Sequence, residues 1–232
     1  VLSARANDLG ETSHADNARH ARAGQIFVLS RDLGTIGDLV PLTGAMVAEY
    51  PTMPVWLTGH ATTCAAAGDL EAARQACRQV FATGGLEAAD STWSTSLAQL
   101  AEVCWLIGEA DWCAELAERL RPYADHMAVT GMGAVCLGSL QRGYALALDG
   151  AGDLDGAIDA IEEAVAVSEE QGIELWLARS LAERASFLER RGAPGDHERV
   201  QQDRARAHEL AAALGVRLAL GPEEYPGPDG PA

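Results

Sequence analysis

The chain contains no lysine: all 17 of its basic residues are arginine. That absence removes the Schiff-base lysine, the phosphate-loop lysine and the kinase-type phosphate lysine, and several enzyme classes with them. Aromatic residues are scarce as well, 5% against 48% hydrophobic overall, so the apolar content is mostly small aliphatic side chains, above all alanine. Such a composition favours closely packed helices. Positive charge is in short supply: 17 basic residues face 34 acidic ones, a formal charge of −17. This surface repels phosphates and anionic lipid heads, so no contact with nucleic acid or membrane is expected. No run of about twenty apolar residues is free of charge or glycine, and no basic stretch leads into an apolar signal segment. The five cysteines are odd in number and never form a Cys-x-x-Cys pair. They read as small core residues of a reducing compartment, which makes the cytoplasm the expected location. The first residue is Val1, and a processed chain or a fragment of a larger polypeptide is expected.

What the sequence does have is a repeat. Glycines that close an apolar helical stretch stand at Gly34, Gly68, Gly108, Gly152 and Gly192, 34 to 44 residues apart. Three are followed by an acid, Asp69, Glu109 and Asp153. Seven residues before the last four glycines stand Ala61, Ala101, Ala145 and Ala185; five residues after them come Ala73, Cys113, Ala157 and His197. Glycine accepts the left-handed conformation that ends one helix, the acid favours the start of the next, and alanine lets the two backbones approach. The apolar stripes have helical period, as in Leu97, Leu100, Ala101, Cys104 and Ile107, or Leu177, Leu181, Ala185 and Leu188. Such hairpins bury their stripes only by stacking on one another.

This pattern predicts helices over 17–32, 36–50, 55–67, 70–83, 93–107, 111–120, 134–149, 154–171, 175–191 and 198–214. Residues 83–85 and 122–133 read as longer connections, and no strand is expected, because apolar and polar residues never alternate persistently between turn markers. The expected organisation is a frayed linker over 1–16, a helical-repeat domain over 17–220 and a disordered Gly/Pro-rich tail over 221–232. The fold class is all-α, a right-handed α-solenoid of about five hairpins.

The unit Gly152-Asp153-Leu154-Asp155-Gly156-Ala157-Ile158-Asp159-Ala160-Ile161-Glu162-Glu163-Ala164 resembles a tetratricopeptide repeat. Four longer segments, Ala48-Glu49-Tyr50-Pro51, Leu120-Arg121-Pro122-Tyr123-Ala124, Ala134-Val135-Cys136-Leu137-Gly138-Ser139 and Trp176-Leu177-Ala178-Arg179, resemble the C-terminal helical-repeat region of actinobacterial signalling ATPases. Those proteins are linked to nucleotide cyclases or to LuxR-type DNA-binding domains. The resemblance covers about residues 20–216. It implies a regulatory module without catalysis of its own, since the family's cyclase, P-loop and helix-turn-helix elements have no counterpart here.

Several constellations invite a chemical reading. Asp153, Asp155, Gly156, Asp159 and Glu162 fall at calcium-loop positions, but Ala151 occupies the first, where a carboxylate is needed; a repeat turn with an acidic helix start explains the same residues. His60 and Cys64, four apart, share a helical face and suggest a thiolate with its base, yet no third group joins them, and Cys64 already fits the repeat as packing. The other histidines, His14, His20, His126, His197 and His208, have no ligand spacing. Gly131 to Gly138 faintly resembles a phosphate loop but lacks the next glycine, a preceding strand and a lysine; it reads as a connection into a helix. Glu162-Glu163 and Glu169-Glu170 read as solvated acids rather than a hydrolytic pair. Of Trp56, Trp93, Trp105, Trp112 and Trp176, most should fill space between hairpins, with one or two lining the concave surface.

No catalytic, cofactor-binding or metal-binding residue is therefore assigned. The expected function is a non-catalytic interaction and regulatory module of a bacterial signal-transduction ATPase or transcription regulator, binding a protein partner or another domain of its parent. Arg142 and Arg179 are candidates for pairing with acidic groups on that partner. The alternative is a small-molecule (inducer) sensor using the concave groove. An open groove would favour the first; a pocket lined by aromatic and converging polar groups would favour the second.

Overall fold

The computed structural model describes residues 4–6, 15–84, 86–87, 90–131 and 133–218. Helices follow one another as α1 (Ala15–Leu33), α2 (Val40–Glu49), α3 (Pro54–Ala66), α4 (Leu70–Ala82), α5 (Trp93–Leu106), α6 (Ala110–Leu120), α7 (Leu140–Gly150), α8 (Leu154–Glu170), α9 (Glu174–Arg191) and α10 (Asp196–Leu214). A two-stranded antiparallel hairpin, β1 (Met127–Thr130) and β2 (Val135–Ser139), is inserted between α6 and α7. The architecture is an all-α solenoid in which α3 to α10 form four successive helix pairs, preceded by α1 and α2, which are joined through a 3-10 turn. The expected tail lies outside the described residues, as does most of the expected linker; α1 already begins at Ala15.

The turns are built as the repeat predicts. Gly34, Gly68, Gly108, Gly152 and Gly192 all adopt positive φ, from 62° to 93°, the conformation only glycine takes without strain. The acids then cap the next helix. Asp69 accepts a hydrogen bond from the Ala72 N–H and Asp153 one from the Gly156 N–H, both at 3.0 Å. Glu109 departs from the pattern: it makes no side-chain cap and instead accepts from Arg74 of the preceding pair.

Alanine at the crossing points brings the pairs together. Ala61, Ala73, Ala101, Ala145, Ala157, Ala164 and Ala185 are all fully buried. One core runs from α3 to α7; a second joins α7 to α10, and a third, smaller one joins α8, α9 and α10. Along the stack, α3 packs on α5 and α5 on α7, whereas α4, α6 and α8 hardly meet. The first helices of the pairs thus form the inner side of the curve and the second helices the outer side.

Three expectations need correction. The stretch 127–139 is a β-hairpin, although no strand was expected there. Met127-Ala128-Val129-Thr130 lacks polar alternation, and the register is broken by a bulge between Met127 and Val129. Cross-chain bonds hold it instead: Ser94 Oγ donates to the Val129 carbonyl at 3.2 Å, Thr95 Oγ1 and Thr130 Oγ1 lie 2.9 Å apart, and the Gly131 N–H donates to the Ser91 carbonyl at 2.8 Å. The helix expected from 134 consequently starts at Leu140, capped by Ser139. The helix expected from 36 starts at Val40, after a 3-10 turn over Ile36–Leu39.

Candidate functional site

The inner face is not empty. Helix α1 crosses it obliquely, touching α3 through Phe27 and Gly59, α5 through Arg31 and Glu102, and α9 through Asp32 and Arg179. Of its described side chains only Phe27 and Arg31 are buried. The chain beyond α10 returns to the same helix, where the Arg217 N–H donates to the Asp32 carbonyl at 2.8 Å.

Beneath the C-terminal end of α1 lies a buried ionic network. Arg31 Nη2 donates to both carboxylate oxygens of Glu102 at 2.6 Å. Arg142 of α7 reaches Glu102 at 3.2 Å and grips Glu183 of α9 through Nε at 2.8 Å and through Nη2. Arg179 Nη2 donates to Asp32 at 2.8 Å. The three guanidinium carbons surround the Trp176 ring, 5.4, 5.4 and 4.7 Å from its centroid. Gly138 makes this approach possible, since a Cβ there, at φ +80°, would stand 2.6 Å from the Trp176 ring. Burial alone would raise the Glu102 carboxyl, but Arg31, Arg142 and Arg179 outweigh it and hold its pKa down to about 2. Burial wins at Glu183, whose carboxyl is pushed up despite Arg142. Burial and then repulsion from Arg31 lower Arg179 to about 10. Arg142 and Arg179 are 3% and 1% exposed, so the expectation that they meet a partner's acids is corrected: their counter-ions are within the chain.

Beneath the N-terminal half of α1 is a cavity of about 490 Å³, within the range of roughly 300–1,000 Å³ of small-molecule sites. Four walls enclose it: Asn17, His20, Ala21, Gly24 and Phe27 of α1; Thr43 of α2 with Met53, Val55, Trp56 and Gly59 at the start of α3; Ser91, Thr92 and Gln99 around α5; and Thr130, Gly131, Ala134 and Val135 of the hairpin. The α1 backbone comes close because Gly24 faces Val135, where a Cβ would stand 2.8 Å from the valine methyl. Behind the wall the polar groups form a mesh. Thr43 Oγ1 bonds His60 Nδ1 at 2.9 Å and Thr63 Oγ1 at 2.8 Å, and Thr62 Oγ1 donates to Gln99 at 3.5 Å. His20 packs edge-on against Tyr50 and Trp56. Yet His20 Nε2, Trp56 Nε1 and Ser96 Oγ are buried without a hydrogen-bond partner. Buried polar atoms are normally satisfied, so the two that belong to wall residues, His20 Nε2 and Trp56 Nε1, mark an unused capacity to bind.

The remaining candidates resolve into structure. Asp153 of the calcium-like turn is a helix cap, and among the described residues no group of three His, Cys, Asp or Glu is placed to hold a metal. Cys64 Sγ stands 3.6 Å from His60 Nε2, but burial pushes the thiol up to about 11 and lowers the imidazole; this is not an activated thiolate. Glu162 and Glu169 take Arg199 and Arg206 of α10, and Glu163 takes Gln141. His14 lies outside the described residues. Trp112 stacks on Phe81, Trp105 packs against Phe187 and Trp93 against Tyr123; Trp56 alone of the five lines the cavity. Sequence spacing did not single out Gln99, Phe27 or His20, because they converge only when α1 folds back across the stack.

No protein-family model matches the chain, and no curated protein does. Among solved structures it is similar to an array of nearly identical TPR-like repeats from Podosopora anserina, described as those of a kinesin light chain. A variant of that array superimposes with a TM-score of 0.51 at 18% identity, over 85% of this chain and 93% of the other. A second structure of the same array gives 0.49 at 18% identity, over 84% and 93%. At this identity the likeness concerns the fold alone. The class is accordingly the tetratricopeptide-like helical-repeat fold. Among the described residues no helix is long and apolar enough to cross a membrane.

Proposed function

We propose that this chain is a non-catalytic regulatory module of a bacterial signal-transduction ATPase or transcription regulator, and that its signal is a small molecule held beneath α1. The observation that carries the effector reading is the cavity itself: about 490 Å³, walled by Phe27 and Trp56, with Gln99 and Thr130 converging on it. An open concave groove for an extended peptide would suit the partner reading better, and α1 with its ionic clasp fills that groove. The ATPase context is supported by the resemblance of the segments around Ala48, Leu120, Ala134 and Trp176. A cytoplasmic setting accords with five free cysteines.

A protein contact retains its place in this reading. Leu29 and Leu33, one helical turn apart on the outward side of α1, are 58% and 59% exposed. One side of α1 thus walls the cavity while the other offers apolar surface to a partner or to another domain of the parent. A change in how α1 seats is therefore a change in what that domain meets.

A thermal-shift screen of metabolites tests the effector reading. A true effector raises the melting temperature, with a shift that grows with its concentration, and loses that effect when Ala134→Trp fills the cavity from the hairpin side. Stabilising compounds that act equally on the filled variant would sink the proposal. Binding of the parent's ATPase segment with and without Leu29→Glu tests the protein contact separately.

A further inference from the structure

We infer that the molecule taken by this cavity is uncharged and mostly apolar, an aromatic or aliphatic body with one or two hydrogen-bonding groups. The inference rests on the effector reading and narrows it.

The first argument is a missing charge. More than one residue in five of this chain is ionisable as Asp, Glu or Arg, yet among the described residues no such side chain lines the cavity. A charged ligand entering it would shed its hydration with no counter-ion to replace it. The arginines nearest the inner face each have a counter-ion within the chain, Arg31 in Glu102, Arg142 in Glu102 and Glu183, Arg179 in Asp32, and none of them lines the cavity, although Arg31 Nε and Arg179 Nε and Nη1 make no hydrogen bond. An anion would in addition approach against the field of a chain carrying −17. A cation would find no carboxylate on the wall among the described residues, and the Trp56 ring is already in a T-shaped contact with His20.

The second argument is the kind of polarity that is present. Asn17, Ser91, Gln99 and Thr130 offer neutral donors and acceptors. Trp56 Nε1 and His20 Nε2, in wall residues, are hydrogen-bonding atoms that the protein leaves unused. Such a set fixes the orientation of a carbonyl, hydroxyl or amide on an otherwise apolar body; it does not neutralise a formal charge.

Two dyes that share one skeleton provide the test. N-phenyl-1-naphthylamine is neutral, and 8-anilino-1-naphthalenesulfonate is the same framework carrying a sulfonate. Fluorescence titration of the full chain is expected to show saturable one-to-one binding of the neutral dye and at least tenfold weaker binding of the sulfonate. Ala134→Trp and Ala21→Trp, which fill the cavity from two different walls, should each weaken the neutral dye at least tenfold while circular dichroism and urea unfolding stay as in wild type. If one of the two variants fails to fold, the other carries the comparison. Equal affinity for the sulfonate, expelled by the same fillings, would overturn the uncharged class and leave the effector reading standing. Displacement of the neutral dye by benzyltrimethylammonium would do the same in favour of cations. Absence of saturable binding by either dye, or binding indifferent to both fillings, overturns the class and the effector reading together.

Discussion

From α7 to α10 the helices meet through Ala145, Ala157, Ala164 and Ala185, all without exposure, Ile161, Phe187 and Leu188 are equally buried, and the cavity at the α9–α10 turn is only about 170 Å³. From α1 to α5 the same kind of stack holds a cavity with two orphan polar atoms, His20 Nε2 and Trp56 Nε1, in its wall residues, and a helix anchored by two buried side chains. The repeat rules are the same in both halves: glycine at the turn, an acid at the cap, alanine at the crossing. The difference is α1, which leaves the solenoid to lie across its inner face and does not fit it closely. A tight half holds the shape, and the half with spare room is the one suited to recognition.

The seam between the halves is the place to break this arrangement most severely. Arg142 of α7 holds Glu102 on one side and Glu183 on the other. Arg142→Met leaves two buried carboxylates facing Met and should cost about 3–5 kcal/mol in urea unfolding at neutral pH. The pH dependence distinguishes the two acids. Glu102 has a folded pKa of about 2, below its ordinary value, so its contribution is complete above the ordinary carboxylate range and is lost as pH falls through that range toward 2. Glu102→Gln should therefore destabilise strongly at pH 7, with the gap from wild type narrowing by pH 3. Glu183 is held above its ordinary value, so its carboxylate is a burden at neutral pH, and Glu183→Gln should cost less than Glu102→Gln there.

A pair of identical substitutions compares packing directly. Ala157→Trp forces an indole between α7 and α8, where no space exists, and should cost about 1–3 kcal/mol or more. Ala134→Trp places the same indole in the cavity, and the expected change is within about 0.5 kcal/mol. Equal losses in thermal unfolding would show that the two halves are packed alike. Smaller still is the effect at the caps: Asp69→Ala in the first half and Asp153→Ala in the second should each cost about 1 kcal/mol, because the local bond is the same in both.

Much of this was legible before any coordinates. The turn glycines, the cap acids at 69 and 153 and the alanine crossings depend on chemistry within a few residues, and the structure places them as the spacing implied. The hairpin at 127–139 was hidden because its strands are stabilised by Ser94, Thr95 and Ser91 on a distant element rather than by their own alternation. The cavity was hidden for a similar reason. His20, Trp56, Gln99 and Val135 come from four segments, and only the path of α1 brings them together. Arg142 and Arg179 were assigned outward, to a partner's acids; in a chain with twice as many acids as arginines, buried arginine finds internal partners, and sequence spacing does not reveal them.

The finest test of the two halves uses thiols already present. Cys136 is exposed on β2, whereas Cys64, Cys77, Cys104 and Cys113 are buried. Burial pushes Cys64 up to about 11 and Cys113 to about 12, so neither reacts as a thiolate at neutral pH while the fold is closed. One thiol should therefore modify at once with a disulfide reagent, and the rest should wait on opening of the structure. Cys64 sits in α3, against the half that contains the cavity; Cys113 sits in α6, in contact with the tight seam at Gly150. Where local opening precedes global unfolding, labelling follows the looser unit first, and mass spectrometry of partially labelled protein should find Cys64 modified ahead of Cys113. Filling the cavity with the neutral dye should slow Cys64 and leave Cys113 unchanged, since a ligand bound only to the closed form protects the unit that closes over it. Simultaneous labelling of both thiols, unaffected by the dye, would mean that the stack opens as one body and that α1 confers no separate looseness on the first half.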